Sequence, residues 1–148
     1  MGLKFGKVLH LGIVVRDLEK AVKIYEEELG IGPWKIESAS PFFDDKLVND
    51  GVGLNIRTAI FRGDGYEIEL CTPTGPGVFK DWLDQHGPSL HHVKLESDAT
   101  YEDVTGMAER VSGRKTYLDV RWADGKPLVA YADLLEETGL LLEIGADQ

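Results

Sequence analysis

The stretch Val8-Leu9-His10-Leu11-Gly12-Ile13-Val14-Val15-Arg16-Asp17-Leu18 is an apolar, β-branched run that ends at an aspartate placed to cap a helix. Further along, His91-His92-Val93-Lys94-Leu95-Glu96 begins a second run of the same kind, and an aspartate again precedes a helical pattern. After the first run, Leu18, Ala21, Val22, Tyr25 and Leu29 fall on one helical face, and Gly30 ends the helix. After the second, Thr100 with Asp103 reads as a capping box, Val104, Met107, Ala108 and Val111 form the stripe, and Gly113 closes it.

Three strands follow each helix. The first half offers Trp34 to Phe42, Leu54 to Arg62 and Tyr66 to Cys71, with Gly63-Asp64-Gly65 as the tight turn between the last two. In the second half they are Lys115 to Trp122, Leu128 to Asp133 and Leu140 to Ile144, with Asp124-Gly125 at a hairpin. The halves also end alike, on Ile68-Glu69-Leu70 and Leu142-Glu143-Ile144. A strand-helix-strand-strand-strand module therefore occurs twice, and such repetition tells which residues are equivalent in space.

The expected organisation is a single domain over residues 1–148, with module one at about 7–73 and module two at about 90–146. Between them, 74–89 is a linker. Its Thr74-Gly75-Pro76-Gly77 start leads into a short amphipathic helix through Phe79, Trp82 and Leu83, which Gly87-Pro88 stops.

A length of 148 residues suits one compact core, and 43% hydrophobic residues with 9% aromatics is ordinary for a globular chain. No apolar run is long enough to span a bilayer, and Met1-Gly2-Leu3-Lys4-Phe5-Gly6 is not a signal peptide, so a soluble, cytoplasmic protein is expected. A net charge of -10 without clustered Lys or Arg argues against gripping nucleic acid. A single cysteine, Cys71, forbids an internal disulfide; with no basic neighbour in sequence it reads as a small buried hydrophobe rather than a nucleophile.

Each module supplies a histidine on its first strand and a glutamate on its last. Side chains alternate along a strand, so His10, Gly12 and Val14 share one face while Leu11, Ile13 and Val15 cover the helix. By the same alternation His92 is the match of His10, and His91 falls on the face of Val93 and Leu95. A glutamate in an apolar strand is costly to bury without a partner or cation, and two at matched stations need a common explanation. His10, Glu69, His92 and Glu143 are therefore expected to converge on one divalent ion; zinc, manganese, cobalt, nickel and iron all suit two imidazoles and two carboxylates. The competing reading is a metal-free binding pocket.

The pattern resembles the vicinal oxygen chelate superfamily, which includes glyoxalase I, methylmalonyl-CoA epimerase, extradiol dioxygenases and bleomycin resistance proteins. The resemblance rests on 10–18, Tyr25 with Leu29-Gly30, Ile68-Glu69-Leu70, Leu90-His91-His92-Val93 and Gly139-Leu140-Leu141-Leu142-Glu143, and it covers essentially the whole chain. It implies an α+β fold of paired βαβββ modules, a curved mixed sheet that encloses a cavity, with metal ligands at His10, Glu69, His92 and Glu143. It further implies an enzyme that removes a proton next to a carbonyl and stabilises the resulting enolate. Extradiol dioxygenases look like two His and one Glu, so Glu69 as a fourth ligand favours the lyase and epimerase branches. Antibiotic-binding resistance proteins, the non-enzymatic alternative, usually lack the full set.

Between those branches, the linker helix before a double histidine resembles methylmalonyl-CoA epimerase, whereas Glu69 in place of the more common Gln resembles glyoxalase I, a lactoylglutathione lyase. The implied substrate is a small molecule, an acyl-CoA or a glutathione thioester type, and the implied assembly a homodimer. In the roles so implied, Glu143 is ligand and base, Glu69 its counterpart across the site, and Asp50 a weaker base candidate that reads equally well as part of a surface turn. Lys94, on the inward face, would either attract a carboxylate or phosphate or snorkel to the rim.

Overall fold

The computed structural model describes residues 2–37 and 45–145. The chain begins with β1 (Val8–Val14) and α1 (Leu18–Glu27), followed by β2 (Trp34–Glu37), a short β3 (Leu47–Val48), β4 (Ile56–Arg62) and β5 (Glu67–Pro73). Helix α2 (Val78–His86) leads to β6 (Ser89–Leu95), α3 (Tyr101–Ser112), β7 (Leu118–Arg121), β8 (Pro127–Leu134), α4 (Leu135–Thr138) and β9 (Leu140–Gly145).

The nine strands of the described residues belong to one mixed sheet in the order β2-β4-β5-β1-β6-β9-β8-β7-β3. Outward from the central antiparallel pair β1–β6, each side repeats the same succession: a parallel neighbour, β5 or β9, and then two antiparallel strands. The duplication read in the sequence is thus a two-fold arrangement about the β1–β6 seam.

Helix positions follow local chemistry. The Asp17 carboxylate accepts from Lys20 N at 3.1 Å, and the Thr100 hydroxyl accepts from Asp103 N at 3.1 Å, satisfying backbone donors that a first helical turn leaves free. Leu18 and Val22 of α1 pack on Ala59, Ile68 and Leu70 of β4 and β5, with Ile13 and Val15 at the margin. Tyr101, Val104 and Ala108 of α3 pack on Ala130, Ala132, Leu142 and Ile144 of β8 and β9. Each buried aliphatic side chain contributes roughly 1.5–3 kcal/mol, so the two helices are held on equivalent halves of one sheet face. The opposite face is left for the site.

That face is concave. Ile56, Thr58 and Ile60 of β4 and Leu128 and Val129 of β8 line one cavity of about 450 Å³, although β4 and β8 are five strand positions apart. A flat sheet would separate them by roughly 24 Å at the usual strand spacing of about 4.8 Å, so the sheet must curl.

Several boundaries differ from the sequence reading. Helix α1 stops at Glu27 and Leu29 is 58% exposed, because the Ile24 carbonyl takes the N–H groups of both Glu28 and Leu29. Val111 is likewise exposed on α3. Strand β4 starts at Ile56 rather than Leu54, since Asn55 adopts φ +48 and breaks the extended run. Strand β7 starts at Leu118 rather than Lys115, because Thr116 N donates to the Glu109 carboxylate instead of a ladder partner. The expected strand Trp34 to Phe42 is seen as Trp34–Glu37, and 38–44 lie outside the described residues.

Neither β3 nor α4 was anticipated. Strand β3 is two residues long and has no periodicity to read. It is held at the sheet edge by Asn49, whose side-chain oxygen accepts from Asp119 N at 2.9 Å while its own N–H donates to Asp119 O at 3.1 Å.

Candidate metal centre

The four strands at the middle of the sheet, β5, β1, β6 and β9, carry Glu69, His10, His92 and Glu143 respectively. Their register explains how these meet. Gly12 on β1 is opposite Glu69 on one side and His92 on the other; His10 is opposite Glu67 and Lys94, and Lys94 is opposite Glu143. Lacking a side chain, Gly12 leaves the space that the His92 ring occupies: a Cβ there would lie 2.0 Å from His92 Cε1.

The donor atoms are close. The Nε2 atoms of His10 and His92 are 3.3 Å apart, and Glu69 Oε1 is 3.6 Å from each of them. Glu143 Oε2 lies 4.0 Å from His10 Nε2. One donor atom from each of His10, His92 and Glu143 falls within 4.8 Å of the others, and Glu69 adjoins both imidazoles of that set. His92 is 1% exposed, stacked on Tyr131 with ring centres 4.3 Å apart.

The electrostatics separate the two histidines. Burial pushes His10 toward neutrality, but the hydrogen bond to Glu69 and the charges of Glu143, Glu69 and Glu67 outweigh it, so its pKa is raised. His92 is held well below the ordinary histidine value by burial, with His91 and His10 adding to the effect. Glu143 is raised above the usual carboxylate range, chiefly by burial.

The donor set fits a divalent ion. Two imidazoles and two largely buried carboxylates lie together, and the ion pairs of Glu69 and Glu143 run to imidazoles, so that with neutral rings their charge is offset only at a distance, by Lys94 acting on Glu143.

Two cavities flank the cluster. The 450 Å³ cavity has Glu69, Glu143 and Tyr131 in its lining, with Leu54, Ile56, Ile60, Leu118 and Leu128 as apolar walls. The second, about 490 Å³, opens beside His10 between Lys7, Arg62 and Lys94, with Glu67 and Glu96 also present. Lys94 thus borders the charged cavity, and its charge acts on Glu143.

Not every expectation holds. Asp50 is tied into a turn, accepting from Val52 N at 2.8 Å and Gly53 N at 3.1 Å, and does not line the cavity. Among the described residues, the carboxylates that do are Glu37, Glu69 and Glu143. His91 does not take the face of Val93 and Leu95. The β1–β6 register pairs Gly12 with His92 but Ile13 with Leu90, so His91 is the extra residue of a β-bulge, and it turns into the aromatic cluster of Phe79, Trp82, Tyr117 and Tyr131. Burial there, with the charge of His86, lowers its pKa to about 3.

Gly12, Glu67 and Tyr131 were missed in the sequence. Glu67 was accessible by alternation, since 67 and 69 share a face of β5, and its Oε2 lies 3.7 Å from His10 Nδ1. Alternation puts Gly12 on the His10 face, but nothing local signals that it or Tyr131 lies against His92. Cys71 is a buried thiol as expected; it donates to Glu69 Oε1 at 3.3 Å.

Comparisons with known proteins agree with this architecture. A hypothetical protein of Bacillus halodurans C-125 superposes with a TM-score of 0.61 at 18% identity, over 93% of this chain and 91% of that one. A variant of Streptomyces coelicolor methylmalonyl-CoA epimerase in complex with 2-nitronate-propionyl-CoA gives 0.62 at 19% identity, over 95% and 93%. Methylmalonyl-CoA epimerase from Mycobacterium tuberculosis gives 0.57 at 22%, over 93% and 85%. No curated protein sequence matches significantly. At such identities the structural likeness shows the fold alone, but the sequence profile of one family matches residues 9–116, well over half of the chain. The chain therefore belongs to the Glyoxalase/Bleomycin resistance protein/Dioxygenase superfamily, the vicinal oxygen chelate group.

Proposed function

We propose that this protein is a divalent-metal-dependent enzyme that removes a proton from carbon adjacent to a carbonyl, in the manner of methylmalonyl-CoA epimerase, with an acyl thioester as substrate. One observation supports the reading: His10, His92 and Glu143 each bring a donor atom within 4.8 Å of the others, and Glu69 Oε1 lies 3.6 Å from both imidazoles, beside a cavity with apolar walls. His10 and His92 would hold the ion through Nε2, and Glu69 and Glu143 through carboxylate oxygens. When bound, the ion supplies Lewis-acid stabilisation of charge developing on the carbonyl oxygen.

The protein side chains do the rest. Glu69 on β5 and Glu143 on β9 flank the β1–β6 pair from opposite sides, which suits removal of a proton by one carboxylate and return of a proton from the other. Leu54, Ile56 and Leu118 give the cavity apolar walls, and Lys94 in the neighbouring charged cavity offers charge to an anionic group of the substrate.

The test is solvent deuterium exchange. Methylmalonyl-CoA incubated in deuterated water with zinc-, cobalt- or manganese-loaded protein is expected to acquire deuterium at the α-carbon, and to stop doing so with Glu143→Gln. Absence of exchange from a panel of acyl-CoA esters would remove the acyl-CoA reading. A second reading, a glyoxalase I-like lyase, is favoured by the carboxylate at 69, and turnover of the methylglyoxal–glutathione hemithioacetal would establish it instead.

A further inference from the structure

His91 is 2% exposed and takes no part in the proposed chemistry, yet both of its ring nitrogens are engaged. Its Nδ1 is 2.9 Å from Nδ1 of His92. Its Nε2 is 3.4 Å from the Tyr117 hydroxyl, which donates in turn to the Val78 carbonyl at 3.4 Å. We propose that His91 is a positioning residue: with Tyr117 and the Val78 carbonyl it forms a directed hydrogen-bond chain that holds His92 in the tautomer whose Nε2 is free to bind a metal. This rests on the metal reading above.

The direction follows from donor arithmetic. A carbonyl only accepts, and a tyrosine hydroxyl has one proton. With that proton on Val78 O, Tyr117 can only accept from His91, so the His91 proton is on Nε2. A neutral His91 then has a bare Nδ1, which accepts from His92 Nδ1–H. His92 has its single proton on Nδ1, and Nε2 faces His10 and Glu69 as a bare lone pair. The reverse chain would put a proton on His92 Nε2, where a ligand cannot have one, and would leave the Tyr117 oxygen and Val78 carbonyl facing each other with no hydrogen between them. A backbone carbonyl at the start of α2 thus decides which nitrogen of His92, three links away, is the ligand. Fixing the tautomer through the outer nitrogen is a general requirement of metal-ligating histidines.

The linker helix also sets the ring in place. Phe79 stacks on His91 with ring centres 4.7 Å apart, and Trp82 meets it edge-on at 4.8 Å. The bulge in β6 provides the turn toward them. The double histidine after a short helix therefore has a physical division of labour, in which His92 ligates and His91 orients.

The test measures zinc affinity of the full chain by competition with a chromophoric chelator, alongside the ¹⁵N signals of His92 in the zinc-loaded protein. His91→Phe keeps the aromatic packing and removes both nitrogens, and is expected to weaken zinc binding by about 10- to 100-fold, the usual effect of losing an outer-shell partner. His91→Asn restores an acceptor near Nδ1 and is expected to recover most of that loss. Tyr117→Phe leaves the imidazole in place and is expected to cost about 2- to 10-fold, the scale of one hydrogen bond; it carries the test if His91→Phe does not fold. His92 in the wild type is expected to show a protonated Nδ1 and zinc on Nε2.

Wild-type affinity in His91→Phe, or in Tyr117→Phe where that variant carries the test, overturns the proposal while leaving the metal site standing. Zinc on His92 Nδ1 does the same. A wild-type protein that binds no zinc, cobalt or manganese overturns the metal reading itself, and the positioning role with it.

Discussion

Gly12 lies directly under the imidazole of His92, so close that a methyl group on its α-carbon would sit 2.0 Å from Cε1 and 2.2 Å from Nε2. Strand β1 thus contributes twice to the site, once with a ligand candidate and once with the absence of a side chain. His92 cannot retreat easily, because Tyr131 is stacked at 4.3 Å and His91 is bonded to its Nδ1. Gly12→Ala is therefore expected to displace the ring and weaken zinc binding at least as much as loss of an outer-shell partner, about 10- to 100-fold. Calorimetric titration with zinc checks this, and an alanine variant with unchanged affinity would show that the ring has room to move.

His10→Ala and His92→Ala are each expected to lower the metal content of the purified protein from about one divalent ion per chain to a small fraction of that, since each removes a neutral nitrogen donor from a four-donor set. Elemental analysis after dialysis reads the result. Full retention in both variants would end the metal assignment.

Metal affinity is expected to rise with pH. His10 has a raised pKa, and its protonated form repels a cation, so a proton must leave before the ion binds. Below that pKa each pH unit is expected to change zinc affinity about tenfold, the slope for one displaced proton. His92, held well below the ordinary value, is already neutral in this range and adds no further slope. A flat profile between pH 5.5 and 7.5 would contradict the assignment of His10.

Without metal, the fold is expected to lose stability in acid. His91 at about 3 and the lowered His92 refuse protons that the unfolded chain accepts near 6.5, so each favours the native state fully above 6.5 and less as pH falls from there toward its folded pKa. The expected slope below about pH 6 is about 1.4 kcal/mol per pH unit for each histidine. His10 acts in the opposite sense: its raised pKa stabilises the native state below 6.5, and that share is lost as pH rises through the folded value. Urea unfolding with a chelator at pH 7, 6 and 5 measures the slope, and His91→Phe is expected to remove one histidine's part of it. An unchanged slope in that variant would mean that His91 accepts a proton in the folded state.

The four ligand candidates were legible because duplication marks them. His10 and His92 lie on the first strands of the two modules, Glu69 and Glu143 on the last strands, and period-two alternation places each glutamate on the face opposite its apolar neighbours. Asp17, Thr100 with Asp103 and Gly113 read correctly for a similar reason: capping is decided within four residues. His91 was misplaced because a bulge shifts the alternation by one residue and turns its ring toward the aromatic wall supplied by α2 and β8, neighbours that lie outside β6.

The sequence by itself determined the repeated order of elements, the inward-facing pairs of histidine and glutamate, and the helix caps, because each depends on residues near one another along the chain or on matched positions in two copies. Only the tertiary structure decided that Gly12 makes room for His92, that Asp50 stays in a turn, that β3 pairs with the far edge at β7, and that the Tyr117 hydroxyl reaches both the Val78 carbonyl of α2 and the His91 ring on β6. Those relations arise where strands distant in sequence lie side by side, and close packing gives each side chain neighbours that no local pattern encodes.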